Sequence, residues 1–414
     1  ASGVIALTDE QNKAYEGLLS MYGKGGVALL YGVTGSGKTS VYMKLSDSVL
    51  SDGRGIIVMV PEIALTPALI SLFNKRYGDK IAVFHSGLSL GERYDEWKRV
   101  KNGLAQIAVG TRSAVFAPFE NTGLIIMDEE QEHTYKSEQS PRYHARDVAK
   151  FRASQSKALL VLASATPSVE TYTYALKGRY SLFTIKNRYG KAVLPSVILA
   201  DMRKERKNGN KYSISSVLLQ KLEENLKNGR QSILLINRRG YNTFASCDEC
   251  GSVRTCPDCS VSLTYHADNG RLMCHCCGYT VFADKKCPEC GRSSVRFSGS
   301  GTQKTEDELH ELLPDARVIR MDADSTMSRY SHEEKLGAFS RGEYDILLGT
   351  QMVAKGLNFP NVQLVGLIMA DSGLLIPDFL AEERTFDLLV QVSGRSGRAD
   401  CKWFLKIIIY LFLK

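Results

Sequence analysis

The run Gly-Val-Thr-Gly-Ser-Gly-Lys-Thr at residues 32–39 has the spacing G-x-x-x-x-G-K-[ST] and follows the apolar run Val-Ala-Leu-Leu-Tyr. Glycines at that spacing, here Gly32, Gly35 and Gly37, let successive backbone N–H groups curl around phosphate oxygens. The helix that follows such a loop presents its positive end to the same oxygens. Lys38 is placed to reach the β and γ phosphates and the Thr39 hydroxyl to ligate Mg²⁺. Phosphoryl transfer also asks for carboxylates, and Asp128, Glu129 and Glu130 end the apolar run Gly-Leu-Ile-Ile-Met. Asp128 is expected to complete the Mg²⁺ shell and Glu129 to orient or deprotonate the attacking water, while Glu130 has no role on these grounds. Charge developing on the γ-phosphate calls for an arginine supplied across a cleft. The stretch Gln-Val-Ser-Gly-Arg-Ser-Gly-Arg at 391–398 offers Arg395 and Arg398, three apart and therefore on one helical face.

A second chemistry lies between Cys247 and Cys290, where nine of the ten cysteines crowd. Eight of them form four C-x-x-C pairs, Cys247/Cys250, Cys256/Cys259, Cys274/Cys277 and Cys287/Cys290. The chain shows no export signal, so this is metal-ligand spacing in a reducing compartment. Eight thiolates suffice for two tetrahedral Zn²⁺ sites of Cys₄ type, which leave no open position and are therefore structural, folding an insert too small for its own core. Spacing does not decide which pairs share a metal. His266 and His275 lie close by, but with so many thiolates a polar surface role is expected for both, and Cys276 is a further thiol that could compete as a ligand.

These groups must be positioned by regular elements. Short apolar runs at 26–33, 55–61, 81–86, 107–111, 123–129 and 158–166 alternate with helical patterns, and the alternation resumes at 232–237, 317–324, 345–350 and 362–371. Apolar runs separated by helix-length segments predict parallel sheets covered on both faces. The expected fold is α/β, two RecA-like parallel-sheet P-loop lobes with an inserted cysteine-rich zinc-binding module. The first lobe is placed at 1–199, a linker and the start of the second at 200–242, the zinc insert at 243–296, the rest of the second lobe at 297–400 and an atypical tail at 401–414. The charged stretch 200–213 reads as a loop or interdomain linker. On this division the nucleotide is sandwiched between Lys38 on one lobe and Arg395 and Arg398 on the other.

With 414 residues the chain is long enough for two or three domains, each with a core. A hydrophobic content of 43% with 24% charged residues excludes a disordered or collagen-like chain. The net charge of +8 tolerates a polyanionic partner without requiring one. No apolar run approaches the roughly 18 to 20 residues needed to span a bilayer, so a cytosolic protein without a membrane partner is expected.

The ordered blocks LTDEQNKAY, GVTGSGKTSVY, VPEIALTPAL, HSGLS, GTRSAVFAPF, DEEQEHTYKSEQSPRYHARDVA, ASATPS, the cysteine pairs, GTQMVAKGLNFPNV and PDFLAEERTFDLLVQVSGRSGR resemble superfamily two helicases and, within them, the primosomal replication-restart helicases. The resemblance covers nearly the whole chain to Arg398. It implies an ATP-dependent 3′ to 5′ DNA translocase of the bacterial cytosol and nucleoid that binds single-stranded and forked DNA and works with primosome proteins. A branched-DNA remodelling translocase and a zinc-bearing scaffold with weak ATPase are the alternatives. Residue by residue, Gln11 is similar to an adenine-reading glutamine, Lys38 and Thr39 to the phosphate and Mg²⁺ residues, and Asp128 and Glu129 to the catalytic acidic pair. Ser164 and Thr166 are similar to the coupling element, and Arg395 and Arg398 to γ-phosphate sensors. Arg112, Thr350 and Gln351 are similar to family segments that touch the DNA backbone, and the stretch with Tyr135, Lys136, Arg142 and Tyr143 resembles an aromatic-rich loop of the family. A base stacking on Tyr135 or Tyr143 is expected to link DNA occupancy to hydrolysis. The resemblance also implies interleaved zinc ligation, first cysteine pair with fourth and second with third.

Departures from the family pattern accompany the likeness. Gln131 stands where the acidic motif usually has histidine; its amide keeps hydrogen bonding but takes no proton. Leu357–Pro360 replaces a more polar sequence. Family members carry a DNA-binding region before the LTDEQ block and a further C-terminal domain, so fork recognition by this chain is expected to be poor. The run CKWFLKIIIYLFLK after Asp400 does not resemble the family and reads as an exposed, aggregation-prone β segment.

Overall fold

The structure, a computed structural model, describes residues 5–61, 67–188, 196–237, 243–247, 249–250, 252–266, 269–293, 295–296, 302–321, 329–350, 359–376, 378–393 and 406–411. The chain divides into two compact units, Ala1–Lys191 and Ala192–Lys414.

In the first unit β1 (Gly26–Gly32), β2 (Gly55–Met59), β3 (Ile81–Phe84), β4 (Ile107–Gly110), β5 (Thr122–Asp128), β6 (Leu159–Ser164) and β7 (Ser181–Ile185) form one sheet in the order β3-β4-β2-β5-β6-β1-β7. Every pairing is parallel. All strands therefore end on one edge, where an open α/β sheet gathers its functional loops. The helices are α1 (Asp9–Met21), α2 (Lys38–Ser51), α3 (Pro67–Tyr77), α4 (Leu90–Lys101), α5 (Ala145–Ser156) and α6 (Val169–Leu176). Each face of the sheet has its own core, one around Leu30, Val58, Ile126 and Val161, the other around Leu29, Ile57, Ile125 and Leu160. Successive strand residues point to opposite faces, so near-continuous apolar strands are what a doubly covered sheet needs. Capping boxes fix two helix starts: Thr8 with Gln11 opens α1, and Ser89 with Glu92 opens α4.

The second unit repeats the plan with β8 (Ser196–Asp201), β9 (Gln231–Ile236), β16 (Val318–Met321), β17 (Ile346–Gly349), β18 (Val362–Ile368) and β19 (Lys406–Leu411), in the order β16-β17-β9-β18-β19-β8 and again all parallel. Among the described residues its helices are α7 (Met202–Lys207), α8 (Ser216–Lys227), α9 (Thr302–Leu312), α10 (Arg329–Ser340) and α11 (Ala381–Ser393). The contact-based division falls at 191–192, with β8 paired within the second sheet, and the charged stretch read as a loop or interdomain linker opens with α7, capped by Asp201, whose carboxylate accepts from Arg203 N. The terminal run taken for an exposed segment holds β19 instead. Its backbone pairs with β18 at Leu364↔Lys406 and with β8 at Lys406↔Ser196, so neither of its edges is open.

Between β9 and α9 lie short strands β10 (Thr243–Phe244), β11 (Ser246–Cys247), β12 (Thr264–His266), β13 (Arg271–Met273), β14 (Thr280–Phe282) and β15 (Val295–Arg296). They form an antiparallel four-stranded sheet, β10-β12-β13-β14, and a β11-β15 pair. The small core here contains Cys247, Cys256, Cys274 and Cys287 beside Leu263, Leu272 and Val295.

Candidate functional site

β1 ends at Gly32, the chain turns, and α2 begins at Lys38. Gly37 sits at the helix N-cap with φ 78°, the left-handed region, and makes no side-chain cap. A Cβ there would lie 2.4 Å from Gln11 Nε2, and one at Gly32 would lie 2.6 Å from Ser36 Oγ. Gly37 thus suits a left-handed backbone, and a side chain at either position would displace the end of Gln11 or of Ser36. The buried Lys38 ammonium donates to the Gly32 carbonyl at 2.7 Å.

Parallel register brings the acidic residues to this edge. Tyr31 is level with Ser164 and Asp128 with Ala163, so β6 lies between the loop and the carboxylates. Asp128 is held by two tyrosines that the sequence did not single out for this purpose. The buried Tyr42 hydroxyl sits 3.2 Å from Asp128 Oδ2 and 3.1 Å from Thr39 Oγ1, and the Tyr135 hydroxyl donates to the Asp128 carbonyl at 2.6 Å. Burial, then repulsion from Glu129, raises the Asp128 carboxyl to about 6, with the Lys38 charge opposing. A dication at this carboxylate would favour the charged form. Glu129 adopts φ 47°, a left-handed conformation uncommon for a residue with a side chain. Gln131 Nε2 donates to Glu129 Oε2 at 2.9 Å, Gln131 Oε1 accepts from Ser164 Oγ at 2.6 Å, and Ser164 Oγ accepts from Thr166 N at 2.8 Å. One amide therefore ties the acidic motif to the Ser-Ala-Thr turn. The buried Ser36 Oγ and Thr166 Oγ1 have no hydrogen-bond partner among the described residues. Two orphaned hydroxyls, a glycine cradle and an adjoining carboxylate fit a polyphosphate with Mg²⁺, to which Thr39 and Asp128 could offer oxygens.

Glu130, without a role in the sequence, is the hub of a buried network. Its carboxylate accepts from Ser168 N at 2.7 Å, Ser168 Oγ at 3.2 Å and Thr171 Oγ1 at 3.0 Å, and lies 3.6 Å from Arg146 Nη1. Arg146 also pairs with Glu170. Burial pushes the Glu130 carboxyl upward, against the Ser168 N–H and Arg146. The network joins the acidic motif to α5 and α6, and its members lie too far apart in sequence for spacing to reveal it.

The expected adenine reader, Gln11, is 1% exposed; its amide nitrogen donates to Ser36 O at 2.7 Å and its oxygen accepts from Thr8 N at 2.9 Å. It supports the phosphate loop in this structure. Among the expected DNA contacts, Tyr135 is corrected: it is 1% exposed and spends its hydroxyl on the Asp128 carbonyl, so it presents no face for a base. Arg112 Nη1 donates to Lys136 O at 2.9 Å and Thr134 O at 3.3 Å. Lys136 and Arg142 are exposed, Lys136 bridges His144, and the half-buried Tyr143 meets Phe116 edge to face at 5.1 Å. Thr350 follows the end of β17. Gln351, Arg395 and Arg398 lie outside the described residues.

The eight paired cysteines gather as Cys247, Cys250, Cys287 and Cys290, and as Cys256, Cys259, Cys274 and Cys277, the sulfurs of each set within 4.8 Å of one another. The interleaving is first pair with fourth and second with third. Zn–S bonds of about 2.3 Å in a tetrahedron require sulfurs about 3.8 Å apart. Cys247 and Cys290 are 3.7 Å apart, Cys250 and Cys287 3.7 Å, and Cys256 and Cys277 3.6 Å. The donor sets fit two structural Zn²⁺. Turns of one form shape the knuckles: Ser260 N donates to Cys256 O, Gly278 N to Cys274 O and Gly291 N to Cys287 O, each 2.9 Å, and all three donors have positive φ. Cys276 is exposed and belongs to neither set. His266 and His275 also stand outside both sets, with rings 5.3 Å apart.

Fold and site define a two-lobe P-loop helicase core. Residues 8–174 match the DEAD/DEAH box helicase family and residues 292–400 the helicase conserved C-terminal domain. The fold is shared with the DUF1998 helicase MrfA bound to DNA and AMPPNP (TM-score 0.57, 14% identity, 98% of this chain and 48% of that one). It is shared likewise with the DEAD-box helicase Mss116 bound to ssRNA and UDP-BeF (TM-score 0.57, 13% identity, 99% and 70%). Within that class the chain belongs to the PriA family: residues 256–281 match the PriA DNA helicase Cys-rich region domain. It is 51% identical over 398 residues to the replication restart protein PriA of Bacillus subtilis (strain 168), covering 96% of this chain and 49% of that protein. Against the replication restart protein PriA of Synechocystis sp. (strain ATCC 27184 / PCC 6803 / Kazusa) the identity is 45% over 409 residues, with 97% and 49% covered. The chain spans about half the length of these relatives.

Proposed function

We propose that the chain is the motor core of an ATP-dependent DNA helicase acting in replication restart, translocating 3′ to 5′ on single-stranded DNA and working at forks with primosome proteins in the bacterial cytosol and nucleoid. The observation that carries this reading is the shared strand edge, on which Lys38, Thr39, Asp128 and Glu129 stand around one phosphate loop. The loop N–H groups and Lys38 would bind the β and γ phosphates, and Thr39 and Asp128 would hold a Mg²⁺ ion whose charge would offset that of the phosphates. Glu129, oriented by Gln131, takes the proton of the attacking water. Ser164 and Thr166, reached through the same amide, pass the change at the γ-phosphate to the rest of the lobe. Arg395 and Arg398 are proposed to meet the γ-phosphate, Gln11 to read adenine by exchanging its loop contact, and Arg112, Lys136, Arg142, Tyr143, Thr350 and Gln351 to meet DNA. Names of relatives, family matches and the cysteine module support assignment to replication restart.

Strand displacement on duplexes carrying a single-stranded tail tests the reading. ATP-dependent displacement of a strand ahead of a 3′ to 5′ motor, absent without ATP, is expected; displacement independent of ATP, or only in the opposite polarity, contradicts it.

A further inference from the structure

The start of α2 carries two hydroxyls toward the acidic motif, and only one of them belongs to the phosphate-loop pattern. Thr39 follows Lys38 at the first turn, and Tyr42 stands three residues further on, on the same helical face. The Tyr42 ring is fully buried in the core that also holds Val58, Ile126 and Val161. From there its hydroxyl lies 3.1 Å from Thr39 Oγ1 and 3.2 Å from Asp128 Oδ2. Thr39 belongs to the helix after β1, Asp128 ends β5, and β6 runs between those two strands. One side chain therefore bridges the two oxygens offered to a cation from different parts of the sheet.

The protons admit one arrangement. A phenol has a single proton to give and an ionised carboxylate only accepts, whereas a threonine hydroxyl does either. Tyr42 thus donates to Asp128 Oδ2 and accepts the proton of Thr39. Asp128 Oδ1 accepts from Glu129 N at 3.1 Å. Among the described residues no other side chain is hydrogen-bonded to Thr39 Oγ1 or to the Asp128 carboxylate. With its proton directed at Tyr42, Thr39 Oγ1 keeps its lone pairs for an ion, and the bond to Oδ2 holds Asp128 in one rotamer. Packing does not call for this hydroxyl, since phenylalanine would fill the same core; a buried phenol is tolerated only where it finds partners.

We propose that Tyr42 is a positioning residue for the divalent cation of the nucleotide site, through a hydrogen-bond relay from Thr39 to Tyr42 to Asp128 that aims both oxygens at one ion. The proposal rests on the phosphate-site reading and deepens it. Tyr42 touches neither phosphate nor attacking water in this scheme and acts through the two residues it joins.

Tyr42→Phe removes the hydroxyl and keeps the ring. The full chain and this variant are titrated with a fluorescent, non-hydrolysable ATP analogue in EDTA and at stepped MgCl₂ concentrations. Equal affinity in EDTA is expected, with roughly tenfold more MgCl₂ needed in the variant for half of the metal-dependent tightening, the effect of losing one hydrogen bond to a charged group. The Mg²⁺ half-saturation of ATP hydrolysis should rise in parallel, while kcat at saturating Mg²⁺ is largely restored. In a Thr39→Ala background, where the relay is already cut, Tyr42→Phe should add little. The same MgCl₂ dependence in parent and Tyr42→Phe, or a further tenfold loss in the Thr39→Ala background, overturns the relay. So does an equal loss of affinity with and without Mg²⁺, which is what a damaged core would give. Absence of Mg²⁺-dependent nucleotide binding by the unsubstituted chain overturns the phosphate-site reading itself, and the relay with it.

Discussion

At the scale of single residues, Gln131 is the connection on which the proposed hydrolysis would depend most visibly. Its amide donates to Glu129 Oε2 and accepts from Ser164 Oγ, so one uncharged side chain fixes the rotamer of the proposed base and links it to the Ser-Ala-Thr turn. Gln131→Ala removes both bonds, and kcat for ATP is expected to fall roughly tenfold or more with little change in nucleotide affinity, because misplacement of a reacting group costs rate before binding. Gln131→His restores one donor and one acceptor while neutral, but protonation removes the acceptor for Ser164. The variant should keep near-normal activity at high pH and lose it as pH falls through about 6.5, a step the parent lacks at this position. Superimposable pH–kcat profiles for the two proteins would show that the bridge is not functional. Tyrosine chemistry explains the misread residue nearby. A tyrosine serves equally as a stacking platform and as a buried donor; only the placement of Asp128 O within 2.6 Å of its hydroxyl decides for Tyr135.

At the scale of elements, the phosphate loop and cysteine knuckles were legible because their chemistry is local. Glycine spacing, a preceding strand and C-x-x-C pairs are properties of neighbouring residues. The positions of β1 to β6, β9 and β16 to β18 were legible for the same reason, since doubly covered strands are written as apolar runs, whereas β7 and β8 were not among the runs read as strands. Glu130 was not legible, because Arg146, Ser168 and Thr171 reach it from α5 and α6. Nor was β19, whose run reads as a hazard until two parallel neighbours satisfy its backbone. The Glu130 network makes a stability prediction. Glu130→Ala leaves Arg146 buried with Glu170 as its remaining acidic partner, and breaking a buried pair costs about 3 kcal/mol. Thermal unfolding of the first unit should shift down by roughly 5–10 °C, read by calorimetry. A shift within error of the parent would mean that the network contributes nothing to stability.

For the whole molecule, the chain comprises two α/β units, the second interrupted by a module whose core includes four of its zinc-ligating cysteines. So small a core does not hold without its metals. Two zinc ions per chain are expected by elemental analysis. Cys256→Ser is predicted to lower the content toward one, and Cys276→Ser to leave it at two, since that thiol lies outside both clusters. Chelation should remove amide-exchange protection from residues 243–296 while protection of the first sheet persists; simultaneous loss in both would refute an independently metal-held insert. The family relationship was legible in the order of the sequence blocks.

The most direct test of the motor assignment is steady-state ATP hydrolysis by the full chain with and without single-stranded DNA, beside Lys38→Ala. The expected result is Mg²⁺-dependent turnover that rises with DNA and is abolished by the substitution, since Lys38 is the cation of the phosphate loop. Turnover that survives in Lys38→Ala, or that is absent from the parent with DNA and Mg²⁺ present, would contradict it.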